Sequence, residues 1–274
     1  MTENVPFQLA RHMPLVDVTV DNRFSGKFIV DTGMGINVVS DAVLKELGHP
    51  PTGTNHTGRR MTGQEITIPL SQVNELALGR VRQLHPVVGS FDFSRLPIGE
   101  MPLRGFLSLA FFEDTPVTFD FSGQRLCLEG EPTAAPRSDW GEAIAVEVAR
   151  HGPQVEVFLE LELPSGRRIK VEVDTGSDRL ILHRRFMQEL GIAPGSAGVE
   201  EQHGSDDFGR PFVRCLARLP GAVRVASATS FAQESPDAVF LDIIYDGIVG
   251  FEFLRLFRTT FDLANSCLFF APKS

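Results

Sequence analysis

The sequence predicts an all-β protein of two similar lobes, each a small β-barrel with one or two short helices, related by a pseudo-twofold axis. The tripeptide Asp-Thr-Gly occurs twice, at 31–33 and 174–176, each time at the end of an apolar run. The stretches around it repeat. Residues 28–48 (FIVDTGMGINVVSDAVLKELG) align without a gap on 171–191 (VEVDTGSDRLILHRRFMQELG), with seven identities at an offset of 143. Residues 104–121 (RGFLSLAFFEDTPVTFDF) and 246–263 (DGIVGFEFLRLFRTTFDL) share Gly, Phe, Thr, Phe and Asp at an offset of 142. Blocks in the same order at nearly the same offset mean an internal duplication, and two long copies mean two lobes rather than a solenoid.

With 274 residues, 42% of them hydrophobic, the chain can bury a sizeable core. The Pro-rich run EGEPTAAPRS at 129–138 breaks every periodic pattern, so the expected division is a lobe at 1–130, a linker at 131–138 and a lobe at 139–274. Each lobe opens on a predicted hairpin: LVDVTVDNRFSGKFIVD (15–31) and QVEVFLELELPSGRRIKVEVD (154–174) alternate apolar and polar residues around Asp-Asn-Arg and Pro-Ser-Gly. After each Asp-Thr-Gly a helix is expected, DAVLKELG (41–48) and RRFMQELG (184–191). Leu44/Leu47 and Phe186/Leu190 stand at helical spacing, and Gly48 and Gly191 suit the C-terminal cap. Strands are expected around 60–70, 74–88, 208–219 and 222–231. Short strands with few helices fit small barrels.

Composition excludes several function classes. A net charge of −9 repels phosphate, so no nucleic-acid partner is expected. Three cysteines (127, 215 and 267) cannot all pair, and there is no Cys-x-x-Cys or Cys/His cluster, so neither metal nor cofactor is expected. The start lacks a basic segment followed by a long apolar one, and no run is long enough to span a bilayer. The expectation is a cytoplasmic protein with no membrane contact. A phosphate cradle built on Gly33-x-Gly35 fails, because the third glycine would fall at Val38 and the second copy has Asp178 in place of Gly35.

The duplicated tripeptide has a chemical reading. Symmetric lobes bring two equivalent loops face to face, each with one carboxylate, Asp31 and Asp174. Two carboxylates a few ångströms apart cannot both ionise and share a proton. One base and one acid then flank a single water, which is the machinery for attacking an unactivated amide. Thr32 and Thr175 supply hydroxyls that can bond backbone across the axis, and Gly33 and Gly176 allow close approach. Ser177 can donate to Asp174, whereas Met34, its counterpart, has no such donor. Asp174 is therefore the expected ionised member, with the proton resting on Asp31.

With Asp-Thr-Gly in each half and GFLSLAFF (105–112) and GIVGFEFL (247–254) downstream, the chain resembles the aspartic peptidases, most nearly the retropepsin-like branch. Both lobes lie on one chain, as in pepsin-like enzymes. The resemblance implies the bilobal acid-protease fold, a monomer, a polypeptide substrate and catalysis by Asp31 and Asp174. It implies that Thr32 and Thr175 interlock, that Gly33 and Gly176 complete the loops, and that Ile248-Val249-Gly250 packs behind the second loop. It implies glycine-tipped hairpins over the substrate: Gly58, Arg59, Arg60, Met61, Thr62 and Gly63 in lobe one, and the 204–209 segment with Asp206, Asp207 and Phe208 in lobe two. The chain departs from the family at Ser108, which stands where lobe two has Gly250, and at Met34. The single tyrosine, Tyr245, is far from either hairpin in sequence. His56 and His203 are expected as solvated loop residues, and Trp140 at the lobe junction. Competing readings are a peptide-binding module that has lost turnover and a structural protein of the same fold.

Overall fold

Strand Met13–Val20 turns through Asp21, Asn22 and Arg23 into Phe24–Val30, and Gln154–Glu162 turns into Arg168–Val173. These are the two predicted hairpins. Asp21 and Asn22 take positive φ (56° and 53°), which short amide and carboxylate side chains tolerate and which matches the twist of the flanking strands. The computed structural model describes residues 2–95, 102–129, 137–205, 209 and 211–273.

Each half builds one curled ten-stranded sheet, and the two sheets have the same strand order, position for position. In the first half it runs Asn55–Arg59, Glu65–Gln72, Val87–Phe91, Val38–Ser40, Gly105–Leu107, Phe24–Val30, Met13–Val20, Glu75–Leu78 and Val81–Leu84, with Gln8–Ala10 beside Met13–Val20. In the second it runs Val199–Ser205, Pro211–Arg218, Asp237–Leu241, Leu180–His183, Gly247–Val249, Arg168–Val173, Gln154–Glu162, Val223–Val225 and Ala228–Gln233, with Glu147–His151 beside Gln154–Glu162. The molecule is all-β with short helical turns, and its two curled sheets give the bilobal arrangement expected of the fold class.

A third sheet draws on both halves. Its six strands run Thr2–Pro6, Arg125–Glu129, Val117–Asp120, Phe257–Asp262, Cys267–Pro272 and Glu142–Ala145. At its centre Thr118 pairs with Thr260, its own counterpart in the repeat, and the two hydroxyls meet at 2.7 Å. The pseudo-twofold axis passes here. Trp140, in the turn Ser138–Trp140, is 2% exposed and packs edge-on against Phe269 of this sheet. Of the expected linker, 131–136 lies outside the described residues. Arg137 donates to Thr2 Oγ1 (2.6 Å) and pairs with Asp139.

One apolar core runs through both halves and the shared sheet, and includes Val18, Phe28, Leu107, Phe119, Phe253, Phe261 and Phe270. Each such side chain contributes roughly 1.5–3 kcal/mol on burial. Two smaller clusters lie on the other faces of the curled sheets. The first contains Leu15, Ile29, Ile36, Val38 and Phe106; the second contains Ile181, Val239, Leu241, Ile243 and Ile248.

The two expected helices differ. The first forms as Asp41–Leu47, with an acid in its first turn and Lys45 in its last. The second does not form an α-helix. Arg184–Phe186 is one 3-10 turn, followed by bonds of mixed span, Leu190 N to Phe186 O, Gly191 N to Gln188 O and Ile192 N to Met187 O, with no continuous i to i−4 ladder. Two arginines at the start of that segment oppose the helix dipole, whereas Asp41 favours it. Among the described residues of the second half, the α-helix is instead Phe251–Leu254. Among the described residues, no helix is long and apolar enough to cross a membrane.

Candidate active site

Both Asp-Thr-Gly loops leave a strand held by a parallel neighbour. Gly105–Leu107 lies parallel to Phe24–Val30, and the Asp31 N–H donates to Leu107 O (2.9 Å). Gly247–Val249 lies parallel to Arg168–Val173, and the Asp174 N–H donates to Val249 O (3.0 Å). The two carboxylates thus start from equivalent, rigid points.

The threonines tie the loops together. The Thr32 N–H donates to Thr175 Oγ1 (3.1 Å) and the Thr175 N–H to Thr32 Oγ1 (2.9 Å). Each hydroxyl in turn donates across the axis, Thr32 to Val173 O (2.7 Å) and Thr175 to Val30 O (3.2 Å). Both threonines are 1% exposed, so four bonds are made away from water, where a missing partner would be costly.

This clasp presses each carboxylate onto the opposite glycine. A Cβ at position 33 would sit 2.4 Å from Asp174 Cγ, and one at 176 would sit 2.6 Å from Asp31 Oδ2. Only glycine permits that approach. The Gly33 N–H donates to Asp31 Oδ1 (2.9 Å), and the Gly176 N–H to Asp174 Oδ1 (2.7 Å). The pair is not symmetric. The Ser177 hydroxyl donates to Asp174 Oδ2 (2.7 Å), while Met34 packs against the apolar cluster around Ile29. Burial, then the charge of Asp174 and the hydrogen bond shared with it, hold the Asp31 carboxyl well above the usual range, against the opposing pull of the Gly33 and Met34 N–H groups.

Behind the second loop, Phe251 N donates to Ser177 O (2.8 Å), and a Cβ at Gly250 would lie 2.3 Å from that same oxygen. The first half solves the same packing differently. Ser108 stands in the glycine's place, and its N–H and hydroxyl both reach Asn37 Oδ1 (3.0 and 3.3 Å). Asn37 is 3% exposed and aligns with Leu180. Sequence reasoning missed Asn37, although two polar residues replacing Leu and Gly in one copy of the repeat were a visible signal. It also missed His12, whose Nε2–H donates to Gly176 O (2.8 Å) from 164 residues away. No local pattern marks that residue.

Gly58 and Arg59 lie on a hairpin made by Asn55–Arg59 and Glu65–Gln72, and Arg60, Met61, Thr62 and Gly63 form its tip. The Arg60 N–H donates to Gln64 O and the Gly63 N–H to Arg60 O, both at 2.8 Å. The tip reaches the other half, where the Ile244 N–H donates to Met61 O (2.8 Å) and Met61 packs against the cluster of Ile243 and Ile248. Tyr245, distant in sequence, follows Ile244 in the chain and packs against the same cluster as Met61. His56 also differs from expectation. It sits on the hairpin's first strand beside Gln154 and Glu156 of the other half, and burial lowers its pKa. His203 is the exposed residue expected, near Glu201. The hairpin Val199–Ser205 and Pro211–Arg218 occupies the symmetric place in the second half. Asp206, Asp207 and Phe208 lie outside the described residues.

No curated protein matches the chain. Residues 16–103 match the family model described as aspartyl protease. Over that span, which carries Asp31, Thr32, Gly33 and the hairpin tipped by Met61, the chain is similar to the aspartyl proteases.

Proposed function

We propose that the protein is an aspartic endopeptidase that hydrolyses peptide bonds by general acid/base activation of water, with Asp31 and Asp174 as its dyad. The observation that carries this reading is the clasp of Thr32 and Thr175, which presses two carboxyl groups together so that burial and mutual repulsion keep a proton on the pair. The ionised Asp174, held by the Ser177 hydroxyl and the Gly176 N–H, takes a proton from water as that water attacks the amide carbon. The protonated Asp31 gives its proton to the carbonyl oxygen; the tetrahedral diol then collapses as Asp174 passes the water's proton to the leaving nitrogen and one diol hydroxyl returns a proton to Asp31. The hairpin tipped by Met61 covers the substrate, and its twofold mate is the second candidate cover. Both half-sites lie on one polypeptide, so the active form is a monomer, with 1–130 and 139–274 as its two units. The three cysteines are unpaired, in keeping with work in the reducing cytoplasm.

Incubation with denatured casein and a peptide library from pH 3 to 7, with and without a statine-type inhibitor, tests the reading. Cleavage that the inhibitor blocks is expected. Asp31→Asn and Asp174→Asn should each fold and lose at least about 10³-fold in kcat, since the amide can neither hold the shared proton nor act as base. Near-native turnover in either variant sinks the assignment. Inhibitor binding without any cleavage would favour the peptide-binding module.

A further inference from the structure

The second half carries a carboxyl group that neither the fold nor the dyad chemistry uses. Glu172 is 5% exposed and stands two residues before Asp174. Val171 and Val173, on either side of it, point into the main core, so Glu172 points the other way, towards the pair. The carboxylates that act on it are Asp174, Glu156 and Asp31. Among the described residues, no hydrogen bond or ion pair reaches its carboxyl, which burial first and those neighbours next push well above the usual range. Lys170, on the same face of the strand, is already paired with Glu147 (3.0 Å).

The internal repeat shows what the fold alone would place there. The counterpart of Glu172 is Ile29, fully buried in an apolar cluster beside its strand partner Phe106. Glu172 has Ile248 as the corresponding partner, and Ile248 belongs to the equivalent apolar cluster. An isoleucine at 172 would complete that cluster, and a carboxyl in its place weakens it. The surroundings are also built for more than packing. Phe158 pairs with Glu172 across the strands, and the Tyr245 ring meets Phe158 edge-on at 5.4 Å. The Tyr245 hydroxyl donates to Glu156 Oε1 (3.1 Å), which leaves the other oxygen of Glu156 for a further donor.

From this geometry we infer that Glu172, with Glu156, forms a subsite for a cationic side chain, lysine or arginine, of a bound polypeptide, on the Asp174 side of the dyad. The partly exposed Tyr245 ring takes the aliphatic stem, and the carboxyl groups take the charged head, beside the Phe158 ring that already lies under Lys170 Nζ at 5.1 Å. Met61 at the hairpin tip covers the same cluster from above, so a side chain held here is enclosed when the hairpin is down. The inference rests on the peptidase reading for the placement of the peptide, but binding tests it separately.

The probe is a set of peptides with a reduced, uncleavable amide, carrying either lysine or norleucine at each residue flanking that bond, with affinity for the full chain measured by calorimetry. At one flanking position lysine should bind about ten-fold tighter than norleucine, the size of one charge-assisted contact. Glu172→Gln should bring that ratio near one, and Glu172→Ile, the residue of the other half, should invert it. Two variants guard against one that fails to fold. Equal affinity of the wild type for both peptides, or a lysine preference that survives both substitutions, overturns the subsite. The same peptides with ordinary amides separate the two ideas. Cleavage without a lysine preference leaves the peptidase and removes the subsite, whereas a Glu172-dependent lysine preference without cleavage does the reverse.

Discussion

At the scale of single residues, the two carboxylates differ in what donates to them. The Ser177 hydroxyl reaches Asp174, whereas Met34 offers Asp31 its backbone N–H and no side-chain donor. Ser177→Ala should therefore move the acid limb of the pH–rate profile to higher pH, a property of the pair and not of one group. Met34→Ser should shift the profile instead if the asymmetry runs the other way, and a profile that moves only there would refute the assignment. Stability carries a second signature. The folded pKa of Asp31 is raised, so between its ordinary value near 4 and that raised value the folded chain holds more protons than the unfolded one. Stability from this group is full below about pH 4 and is lost as pH rises through the folded pKa. Asp31→Asn removes the slope, so its melting temperature should fall less than that of the wild type between pH 4 and 7. A difference of about 2–4 °C corresponds to each kcal/mol in a chain of roughly this size. Glu172 slopes the same way, so some pH dependence remains in the variant. Identical curves for variant and wild type would show that Asp31 is not the proton-holding member. Asp21, lowered by the hydrogen bonds of His49, Glu75 and Asn74 against its burial, acts in the opposite sense and only below about pH 4, outside this window.

At the scale of elements, the proposed function makes the hairpin tipped by Met61 the piece that must move for a peptide to enter. Its hold on the other half includes one backbone bond to Ile244, the apolar contact of Met61 and the hydrogen bond of His56 with Gln154. Met61→Ala should loosen that hold by about 1–3 kcal/mol at most, since the tip is only partly buried. Faster hydrogen exchange at the Ile244 amide and a raised KM with little change in kcat are the expected readouts; unchanged exchange would place the hinge of opening elsewhere. The elements also show what a sequence reveals. The hairpins Met13–Val20/Phe24–Val30 and Gln154–Glu162/Arg168–Val173 were legible because alternation and turn chemistry are local. The second helix was misread because the spacing of Phe186 and Leu190 was weighed without the two arginines that begin the segment. Asp31 and Asp174 were legible because the repeat displays them twice. Glu172 was in plain view but gained meaning only beside Ile29. His12 and the spatial place of Tyr245 were not legible, since each depends on contacts between residues far apart in the chain.

At the scale of the whole molecule, the two-lobed plan followed from the repeat, but the sheet that joins the halves did not. Its strand Thr2–Pro6 has no clean alternation, and it pairs with Arg125–Glu129 across more than a hundred residues. That sheet has a consequence for chain order. On one side of it Val5 faces Leu126, and on the other Ile144 faces Leu268, so the strand after the linker stands to the last strand as the first strand stands to Arg125–Glu129. By the twofold, the gap from Lys273 back to Thr2 matches the gap from Glu129 to Glu142 that the chain already crosses. A circular permutant, opened between Glu129 and Arg137 and closed from Lys273 to Thr2 by a segment as long as that linker, should fold with its halves in reversed order. It should melt in one transition close to the wild type, with the Thr32–Thr175 clasp intact. Two separate transitions, or failure to fold, would mean that the order of the halves matters in a way the symmetry does not show. If the permutant folds, either half can lead, and what the molecule conserves is the meeting of Thr118 with Thr260 rather than the direction in which the chain arrives there.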